Sequence, residues 1–552
     1  MLPYFNAKEN KKVQLLNFGG LDTRAKAEPN TLSQCLNMSS ACYPALSPRL
    51  PRKKIFSSTG ITAIVTPEYN DEKITTFTGI KDNKFFYKGT EIDGVLSVGS
   101  KSIADFNGKI CIFPDKMYYD YLPNPDTGQV STKLESMEKS LSVSGVKFYS
   151  SYDSISGDYT AYISKSNGGF DCFCEGDSII IEGCSKSANN TCKIQGKKDF
   201  ASNTSIVSAI VKTVSADKLE LLLYNKTGEK ALFENTTESG SITIKVSIPD
   251  MDYICVHNNR LWGTAKNGEF IYASKLGDCM NFNSFQGLAD DSWYSMIGTP
   301  GNFTGICSYR TSIVAFKRHC IHHIYGDSPQ NFSIPKQTET GCIDGRSIAE
   351  LEGVLYFLSS NGYMAYAGGE PYCISYQLTA KFGSAVSVSD GRHYISAAYD
   401  KNGSASVLVY DPKYNLWHQY EYTPFIGFIN YFGSVYGATA TDIYELDSEG
   451  EIIEWSFTTQ RLTYNTMDYK GLNCIWIRLD AQPNTVIKIF VSRDDNEFEL
   501  CSVLSPQEKL SSARIPVRFG YCDNFKLKIS GTGNAIISDI EFTTHIDGRK
   551  FR

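Results

Sequence analysis

A unit of short strands and tight turns recurs along this chain at intervals of about 40 residues. Each copy starts with a strand that alternates apolar and polar side chains, passes through a polar or glycine-containing turn, and ends in strands rich in tyrosine and phenylalanine. The copies start near residues 61, 102, 252, 304, 347, 386 and 427. Repeats of this length that consist of strands are typical of β-propeller blades. The sequence therefore predicts an all-β fold built on a propeller of about seven blades, and a count one lower or one higher also fits the spacing.

The repeat is interrupted once, over residues 123–250. This segment has strands joined by hairpin turns but lacks the blade spacing. We predict that it is a small β-barrel inserted between two blades, because a host fold accepts insertions at its loop tips. The first blades then occupy residues 61–122 and the remaining blades residues 251–455.

The last part of the chain, residues 456–552, alternates apolar and polar residues in several runs that are separated by polar turns. Such patterning predicts a C-terminal β-sandwich of jelly-roll type. Its buried faces are expected to include Ile475, Ile477 and Leu479 on one strand, and Phe525, Leu527 and Ile529 on a later one.

Residues 1–60 are predicted to form an extended N-terminal arm rather than a domain. Pro44, Pro48 and Pro51 recur at short intervals, which favours an extended backbone with few strand partners. Before them, residues 30–37 are predicted to form one or two helical turns capped by Asn30. The sequence fits equally well an arm that lies along a neighbouring subunit and a clasp on the chain's own propeller.

The composition is that of a strand-rich protein without a strong overall charge. The chain has 34 Tyr, 31 Phe and 44 Gly, and its net charge of −6 does not predict a nucleic-acid-binding surface. Neither an apolar signal region nor an apolar run long enough for a membrane anchor is found. We therefore expect synthesis in a reducing cytoplasm, with most of the 16 cysteines free. Two local basic clusters are interpreted as solvated loops: Arg49, Arg52, Lys53 and Lys54, and Arg549, Lys550 and Arg552.

Two groups of histidines and cysteines have the residue types of a metal site without its spacing. In the segment His319–His323, near Cys307, strand alternation divides the ligands between two faces, while zinc needs three or four together. The expected faces are His319 with His323 and Cys320 with His322. The second group lacks a C-x-x-C pair and consists of Cys172, Cys174, Cys184 and Cys192. We interpret the first group as the polar rim of a blade and the second as structural thiols of the barrel, and we predict no metal or other cofactor.

Carboxylates are frequent in the predicted turns, where aspartate stabilises the backbone. A glycosidase needs two of them a few ångströms apart across a cleft, and the sequence does not give that distance. The candidates are Asp290, Asp291, Asp344, Asp400, Asp411 and Glu421.

The sequence contains neither a nucleophile elbow nor a phosphate-binding loop. Asp390–Tyr394 is expected to be an ordinary hairpin turn, and Trp417 a residue that packs within a blade. The sequence therefore identifies no catalytic, cofactor-binding or metal-binding residue, and it predicts that the chain is not an enzyme.

Three segments of the sequence resemble structural proteins of tailed phages or prophages. The first is LNFGGLDTR followed by NMSSACYPALSPRLPRKK near the start of the chain. The second is VHNNRLWG with IYASKLGD, within Val256–Asp278. The third is IVAFKRHCIHHIYGDSPQNF, which leads into GCIDGRSIAELEGVLYFLSSNGYMAYAGGEPYCIS. Together they resemble the β-propeller of tail-nozzle and tail-tip proteins.

The resemblance implies a structural role in the tail of a virion that is assembled in the bacterial cytoplasm. Nozzle proteins form a ring, usually sixfold, that continues the channel for genome ejection. The implied partners are other copies of the chain, adjacent tail or head–tail connector proteins, tail fibres and, transiently, phage DNA. Two alternatives stay open. One is a tail-tip protein that binds a host glycan through an exposed aromatic of the sandwich, Trp476 or Tyr521, and the other is a propeller glycosidase.

Overall fold

The computed structural model describes residues 10–67, 74, 76–125, 127–192, 205–450, 452–464, 466–517 and 520–547. The regular structure of these residues is almost entirely β-strand. They also contain three short 3₁₀ turns, Phe170–Cys172, Ser187–Asn189 and Gly345–Ser347. In this part of the chain no helix has the length and apolar character needed to cross a bilayer. The second predicted basic cluster, at residues 549–552, lies outside the described residues.

Seven four-stranded antiparallel sheets form the blades of a propeller in the described part of the chain, which confirms the predicted fold. We number the blades 1 to 7 along the sequence. Their strands are Ile61–Ile64, Gly79–Lys81, Lys84–Tyr87 and Thr90–Glu91 in blade 1; Ser102–Phe106, Lys109–Phe113, Met117–Asp120 and Glu135–Ser136 in blade 2; Tyr253–His257, Arg260–Thr264, Phe270–Ala273 and Trp293–Met296 in blade 3; Phe303–Tyr309, Ser312–Lys317, Ile321–Ile324 and Lys336–Thr338 in blade 4; Ala349–Leu351, Val354–Ser359, Gly362–Tyr366 and Tyr372–Cys373 in blade 5; Ser384–Ser389, Tyr394–Tyr399, Ala405–Asp411 and Leu416–Gln419 in blade 6; and Gly427–Tyr431, Ser434–Ala438, Asp442–Glu445 and Lys53–Ser57 in blade 7.

The first hairpin of several blades turns on two residues with positive φ. In blade 3 these are Asn258 and Asn259, with φ of 46° and 54°. In blade 2 they are Asn107 and Gly108, with φ of 51° and 88°. Two consecutive positive φ values match the twist of the flanking strands, and asparagine and glycine adopt them at least cost. In these blades the polar turns of the sequence therefore set where the first strand ends and the second begins.

Blade 7 is completed by the N-terminal part of the chain. Strand Lys53–Ser57 pairs with Asp442–Glu445, so that Ser57 lies opposite Asp442 and Lys53 opposite Glu445. Phe56 stacks on Phe77 of the neighbouring blade 1, with ring centroids 5.4 Å apart. The propeller is therefore closed by residues from both ends of its sequence.

The predicted inserted barrel is present and lies between blades 2 and 3. Its six strands form a closed antiparallel barrel in the described residues. They are Lys139–Tyr152, Tyr159–Ser164, Ser178–Glu182, Ser208–Ser215, Lys218–Tyr224 and Thr236–Val246. The barrel also contacts blade 3, because the hydroxyls of Ser178 and Ser208 both donate to the Asn283 carbonyl, at 2.6 and 3.1 Å.

The predicted C-terminal sandwich is also present, and each of its two sheets includes a strand of the N-terminal segment. One sheet consists of Asn10–Leu15, Ala535–Asp547, Tyr469–Ala481 and Leu510–Pro516, in spatial order. The other consists of Leu32–Leu36, Glu454–Thr459, Phe525–Thr532, Val486–Arg493 and Glu499–Leu504. All six residues that the alternation assigned to its interior are buried: Ile475, Ile477, Leu479, Phe525, Leu527 and Ile529.

The prediction of helical turns over residues 30–37 is wrong. Leu32–Leu36 is instead a strand that pairs with Glu454–Thr459 of the sandwich. The local sequence was compatible with a helix, but an unpaired sheet edge that buries Leu32 and Cys35 outweighs that weak preference.

The first basic cluster is not the solvated loop that the sequence predicted. Arg49 is buried, and both Arg49 and Arg52 form ion pairs with Glu421, at 3.4 and 2.6 Å. Lys54 pairs with Asp442 at 2.9 Å. These cations therefore fix the N-terminal segment to blades 6 and 7.

The core of the sandwich continues into the propeller without a break. One cluster of buried side chains contains sandwich residues such as Phe457 together with Tyr363 and Trp417 of blades 5 and 6. Leu21 lies in the same cluster, and its amide donates to the Trp417 carbonyl at 2.6 Å. The N-terminal segment thus joins the sandwich to the propeller.

Candidate functional site at the propeller axis

A cavity of about 870 Å³ lies at the end of the propeller where the innermost strands of blades 2 to 5 begin. The first strand of each blade is the innermost, and the first strands of neighbouring blades pack against one another. The cavity is lined by residues 100–102, 252–254, 301–306, 318–319 and 343–346, and by Lys266. Loops at this end of the propeller therefore bring side chains from four blades to one place.

Two carboxylates line this cavity. Asp252 directly precedes the first strand of blade 3, and its Oδ2 accepts the Lys266 backbone amide at 2.6 Å. Asp344 precedes blade 5 and binds the Arg346 guanidinium at 2.8 and 3.1 Å. Asp344 also accepts the backbone amide of Arg346 at 3.1 Å and that of Ala385 at 3.3 Å.

The charges of both carboxylates affect the pKa of Tyr253. Burial raises the pKa of Tyr253, the nearby charges of Asp252 and Asp344 raise it further, and Arg346 opposes them. The two carboxylates therefore act on the same phenol inside one cavity. A pair of acids, a phenol and a guanidinium can bind sugar hydroxyls, and two suitably spaced carboxylates are the groups that glycoside hydrolysis requires.

The sequence named Asp344 among its six carboxylates, and the other five have structural roles away from the cavity. Asp291 is buried and accepts three consecutive backbone amides, those of residues 286–288. Asp290 pairs with Lys275 at 3.4 Å, and Asp400 accepts the amides of its own hairpin. Glu421 and Asp411 bind the N-terminal segment.

Asp252 was missed although a usable signal existed. It stands directly before the first strand of a repeat, the position that a propeller brings to the mouth of its axis. Lys266 and Arg318 occupy equivalent loops in adjacent blades, between the second and third strands. The sequence shows this equivalence only once the second strand of each blade has been identified.

The histidine-rich segment does not form a metal site. His319 is exposed and lines the axial cavity, whereas His322 and His323 are buried in blade 4. His322 bonds the Thr299 hydroxyl at 2.8 Å, and His323 bonds the Ser312 hydroxyl. Within the described residues, no group of three or more His, Cys, Asp or Glu is placed to hold a metal ion.

Cys172 and Cys174 are not part of the barrel core, contrary to the sequence interpretation. Cys172 is the last residue of a 3₁₀ turn and Cys174 follows that turn, so strand alternation does not apply, and both are exposed. Phe170 and Phe173 fill the core at this position instead. Of the other two cysteines in that group, Cys184 is buried and Cys192 is half-buried.

The two aromatics considered for glycan stacking are partly exposed on the sandwich. Trp476 is 42% exposed and carries the Arg514 guanidinium 5.2 Å from its ring centroid. Tyr521 is 39% exposed and packs edge-on against His545. Neither lines the axial cavity.

The Asp390–Tyr394 segment is more than an ordinary hairpin turn, because it holds a cluster of ionised groups. His393 bonds Asp390 at 2.8 Å and lies 3.6 Å from Asp411, which is fully buried. Asp411 accepts the hydroxyl of Ser40 at 2.5 Å, and Arg392 lies 3.6 Å from the same oxygen. We call this group the Asp411 cluster; it joins blade 6 to the N-terminal segment.

The pKa values in this cluster are shifted in opposite directions by one interaction. Burial alone would lower the pKa of His393, but the bonds to Asp390 and Asp411 raise it to about 9. Burial alone would raise the pKa of Asp411, but His393 and Ser40 lower it to about 2. Burial raises the pKa of Asp447, whereas the charges of Arg49 and His393 lower it. Burial lowers the pKa of His418 to about 4.

His393→Gln is expected to destabilise the protein by about 3 kcal/mol at pH 6 and by much less at pH 10. A raised pKa means that the stabilisation is complete below pH 6.5, the unfolded value, and is lost as the pH rises through about 9. Urea unfolding of both proteins at several pH values measures the difference. His319→Gln is the control, because His319 bonds no carboxylate in the described structure. Equal effects of His393→Gln at the two pH values would contradict the assignment.

No protein-family model and no curated protein matches this chain. Solved structures with similar folds include an exo-β-1,3-galactanase from Phanerochaete chrysosporium with galactose, 10% identical over 52% of this chain and 94% of that one, with a TM-score of 0.20. Another is described as Bacteroides ovatus xyloglucan PUL GH43B, 8% identical over 52% of this chain and 96% of that one, with a TM-score of 0.21.

The prediction that the chain is not an enzyme is not upheld: the solved structures with similar folds include an enzyme, the exo-β-1,3-galactanase. The likeness concerns the fold. At these TM-scores it assigns neither substrate nor reaction to this chain.

Proposed function

We propose that this chain is a structural protein of a bacteriophage tail, a nozzle-like or tail-tip part on which other tail proteins or fibres dock. The resemblance of its sequence segments to such proteins supports the proposal. The structural observation that carries it is the closure of the chain on itself. One segment, residues 10–57, completes both sheets of the sandwich and the last blade of the propeller.

A chain closed in this way suits a rigid part of an assembly. Because Asn10–Leu15 pairs with Ala535–Asp547, and Lys53–Ser57 pairs with Asp442–Glu445, neither the sandwich nor the propeller can open without breaking strand pairs. The barrel is inserted between blades 2 and 3, and the sandwich follows blade 7 in the sequence, so that in this proposal each provides a docking surface beyond the blades. Copies joined head to tail through such surfaces close into a ring when the rotation permits.

Native mass spectrometry of the purified full-length chain tests this proposal. We expect closed oligomers whose masses are multiples of 61.4 kDa, with six copies as the first candidate. Negative-stain images of the same sample should show rings. A protein that stays at the mass of one chain at every concentration would count against ring assembly.

A second candidate function is carbohydrate processing at the propeller axis. The specific observation in its favour is that Asp252 and Asp344 line one cavity and both act on Tyr253. In this candidate a glycan occupies the cavity, and the two carboxylates share acid, base or nucleophile roles at one glycosidic bond.

Asp252→Asn and Asp344→Asn are each expected to reduce glycan cleavage by about a hundredfold or more if this candidate is correct, because acid–base catalysis supplies that factor. The assay follows reducing ends released from bacterial surface polysaccharides. Asp400→Asn is the control, since Asp400 binds only its own hairpin in blade 6. No cleavage by the unmodified protein across the panel, or equal activity in the variants, would remove this candidate.

A further inference from the structure

The axial cavity carries two cations that the protein itself does not neutralise. Lys101 forms a buried ion pair with Asp115 at 2.5 Å, and Arg346 is paired with Asp344. By contrast, Lys266 and Arg318 are exposed and have no carboxylate within ion-pair distance in the described structure. The site therefore has positive charge available for a ligand.

The backbone positions of Lys266 and Arg318 are fixed, although their side chains have no ion-pair partner among the described residues. The Lys266 amide binds Asp252, and its carbonyl accepts the Phe303 amide at 3.0 Å. Arg318 follows Lys317, whose amide donates to the Cys320 carbonyl at 2.9 Å. Gly341 packs so closely on this turn that a Cβ there would overlap the Lys317 carbonyl. Both cations are thus presented by ordered turns of neighbouring blades.

The size and lining of the cavity favour a polysaccharide over a nucleic acid. A volume of about 870 Å³ is in the range of sites that enclose small ligands or a few sugar units. Single-stranded nucleic acids are usually held by exposed aromatic platforms. Here Phe303 is fully buried and Tyr253 is only partly accessible. The net charge of −6 also disfavours general binding of nucleic acid.

We infer that the axial cavity binds an acidic polysaccharide, whose carboxylate or sulfate groups pair with Lys266 and Arg318. This inference rests on the second candidate function, which places a carbohydrate in the same cavity. Asp252, whose Oδ2 accepts the Lys266 amide, and Asp344, which is held by Arg346, offer their remaining lone pairs to sugar hydroxyls. Anions on the ligand contribute affinity because charge-assisted hydrogen bonds are the strongest that these side chains make.

The test compares binding of a dextran sulfate oligosaccharide with that of the parent dextran of the same length, by calorimetry on the full-length protein. We expect the sulfated probe alone to bind, and to bind more weakly as salt increases. The double variant Lys266→Ala/Arg318→Ala should weaken binding of dextran sulfate about tenfold or more, because it removes both cations that pair with the sulfate groups. The charge-matched control is Lys226→Ala/Lys401→Ala, which removes two exposed lysines on the barrel and blade 6.

Each contrary outcome has a distinct meaning. Equal weakening by the two double variants, or none by Lys266→Ala/Arg318→Ala, would overturn the inference. Equal binding of dextran and dextran sulfate would overturn it while leaving a carbohydrate site in place. Tighter binding of an oligothymidylate through the same two residues would assign the cations to nucleic acid instead. If dextran sulfate binds as expected but Asp252→Asn and Asp344→Asn leave glycan cleavage at the level of the unmodified protein, the hydrolase candidate fails and the anion site stands.

Discussion

Trp417→Ala is expected to lower the free energy of unfolding by about 3–5 kcal/mol, the usual cost of emptying a large aromatic site. Trp417 is fully buried, and its indole Nε1 donates to the Ile374 carbonyl at 2.7 Å. Its ring lies 5.1 Å from that of Tyr363 and 5.0 Å from that of Tyr410. The substitution therefore leaves a cavity and an unpaired buried carbonyl at the point where blade 6 meets the N-terminal segment.

Circular dichroism in urea measures the loss, and Trp476→Ala is the matched control. Trp476 is 42% exposed and carries the Arg514 guanidinium over its ring, so its removal should cost about 1 kcal/mol or less. Hydrogen exchange should locate the effect of Trp417→Ala in blade 6 and in residues 20–37. If both tryptophan variants unfold at the same urea concentration, Trp417 does not have the packing role assigned to it.

Removing residues 1–57 is expected to open blade 7 and both sheets of the sandwich. The deletion takes away strand Lys53–Ser57, which pairs with Asp442–Glu445, and also the edge strands Asn10–Leu15 and Leu32–Leu36. Unpaired edges expose backbone groups and apolar side chains that promote aggregation. We expect little soluble protein, and in that fraction rapid hydrogen exchange of Asp442–Glu445.

A shorter deletion, of residues 1–31, separates the two roles of the segment. It removes Asn10–Leu15 and buried residues such as Phe18 and Leu21, but keeps the strand that closes blade 7. Asp442–Glu445 should therefore stay protected from exchange in this variant, while the C-terminal strand Ala535–Asp547 becomes accessible. Protection of Asp442–Glu445 in both deletions would show that strand Lys53–Ser57 is not needed to close the propeller.

The blade starts could be predicted because a propeller repeats one local pattern. The observed first strands begin at residues 61, 102, 253, 303, 349, 384 and 427, within a few residues of the repeats in the sequence. Each start is marked by alternation and by a turn such as Asn258–Asn259, whose backbone conformation only a few residue types adopt readily. These signals are local, so a single sequence carries them.

The contacts between distant segments could not be predicted in the same way. Leu32–Leu36 became a strand because a sheet edge more than 400 residues away accepts it, and no local pattern records that partner. Arg49 and Arg52 looked like a solvated cluster because Glu421, their ion-pair partner, is 369 residues from Arg52 in the sequence. The axial cavity combines Asp252, Lys266, Arg318 and Asp344 only after three blades have been placed around one axis.

The central proposal is that this closed propeller, with its barrel and sandwich, is an architectural part of a phage tail. Immunogold electron microscopy, with an antibody against the full-length chain, of phage particles released by a strain that carries the gene tests it most directly. We predict gold particles at the tail of intact virions, in numbers consistent with several copies per tail. Virions without label, with all of the chain recovered in the particle-free fraction, would contradict the proposal.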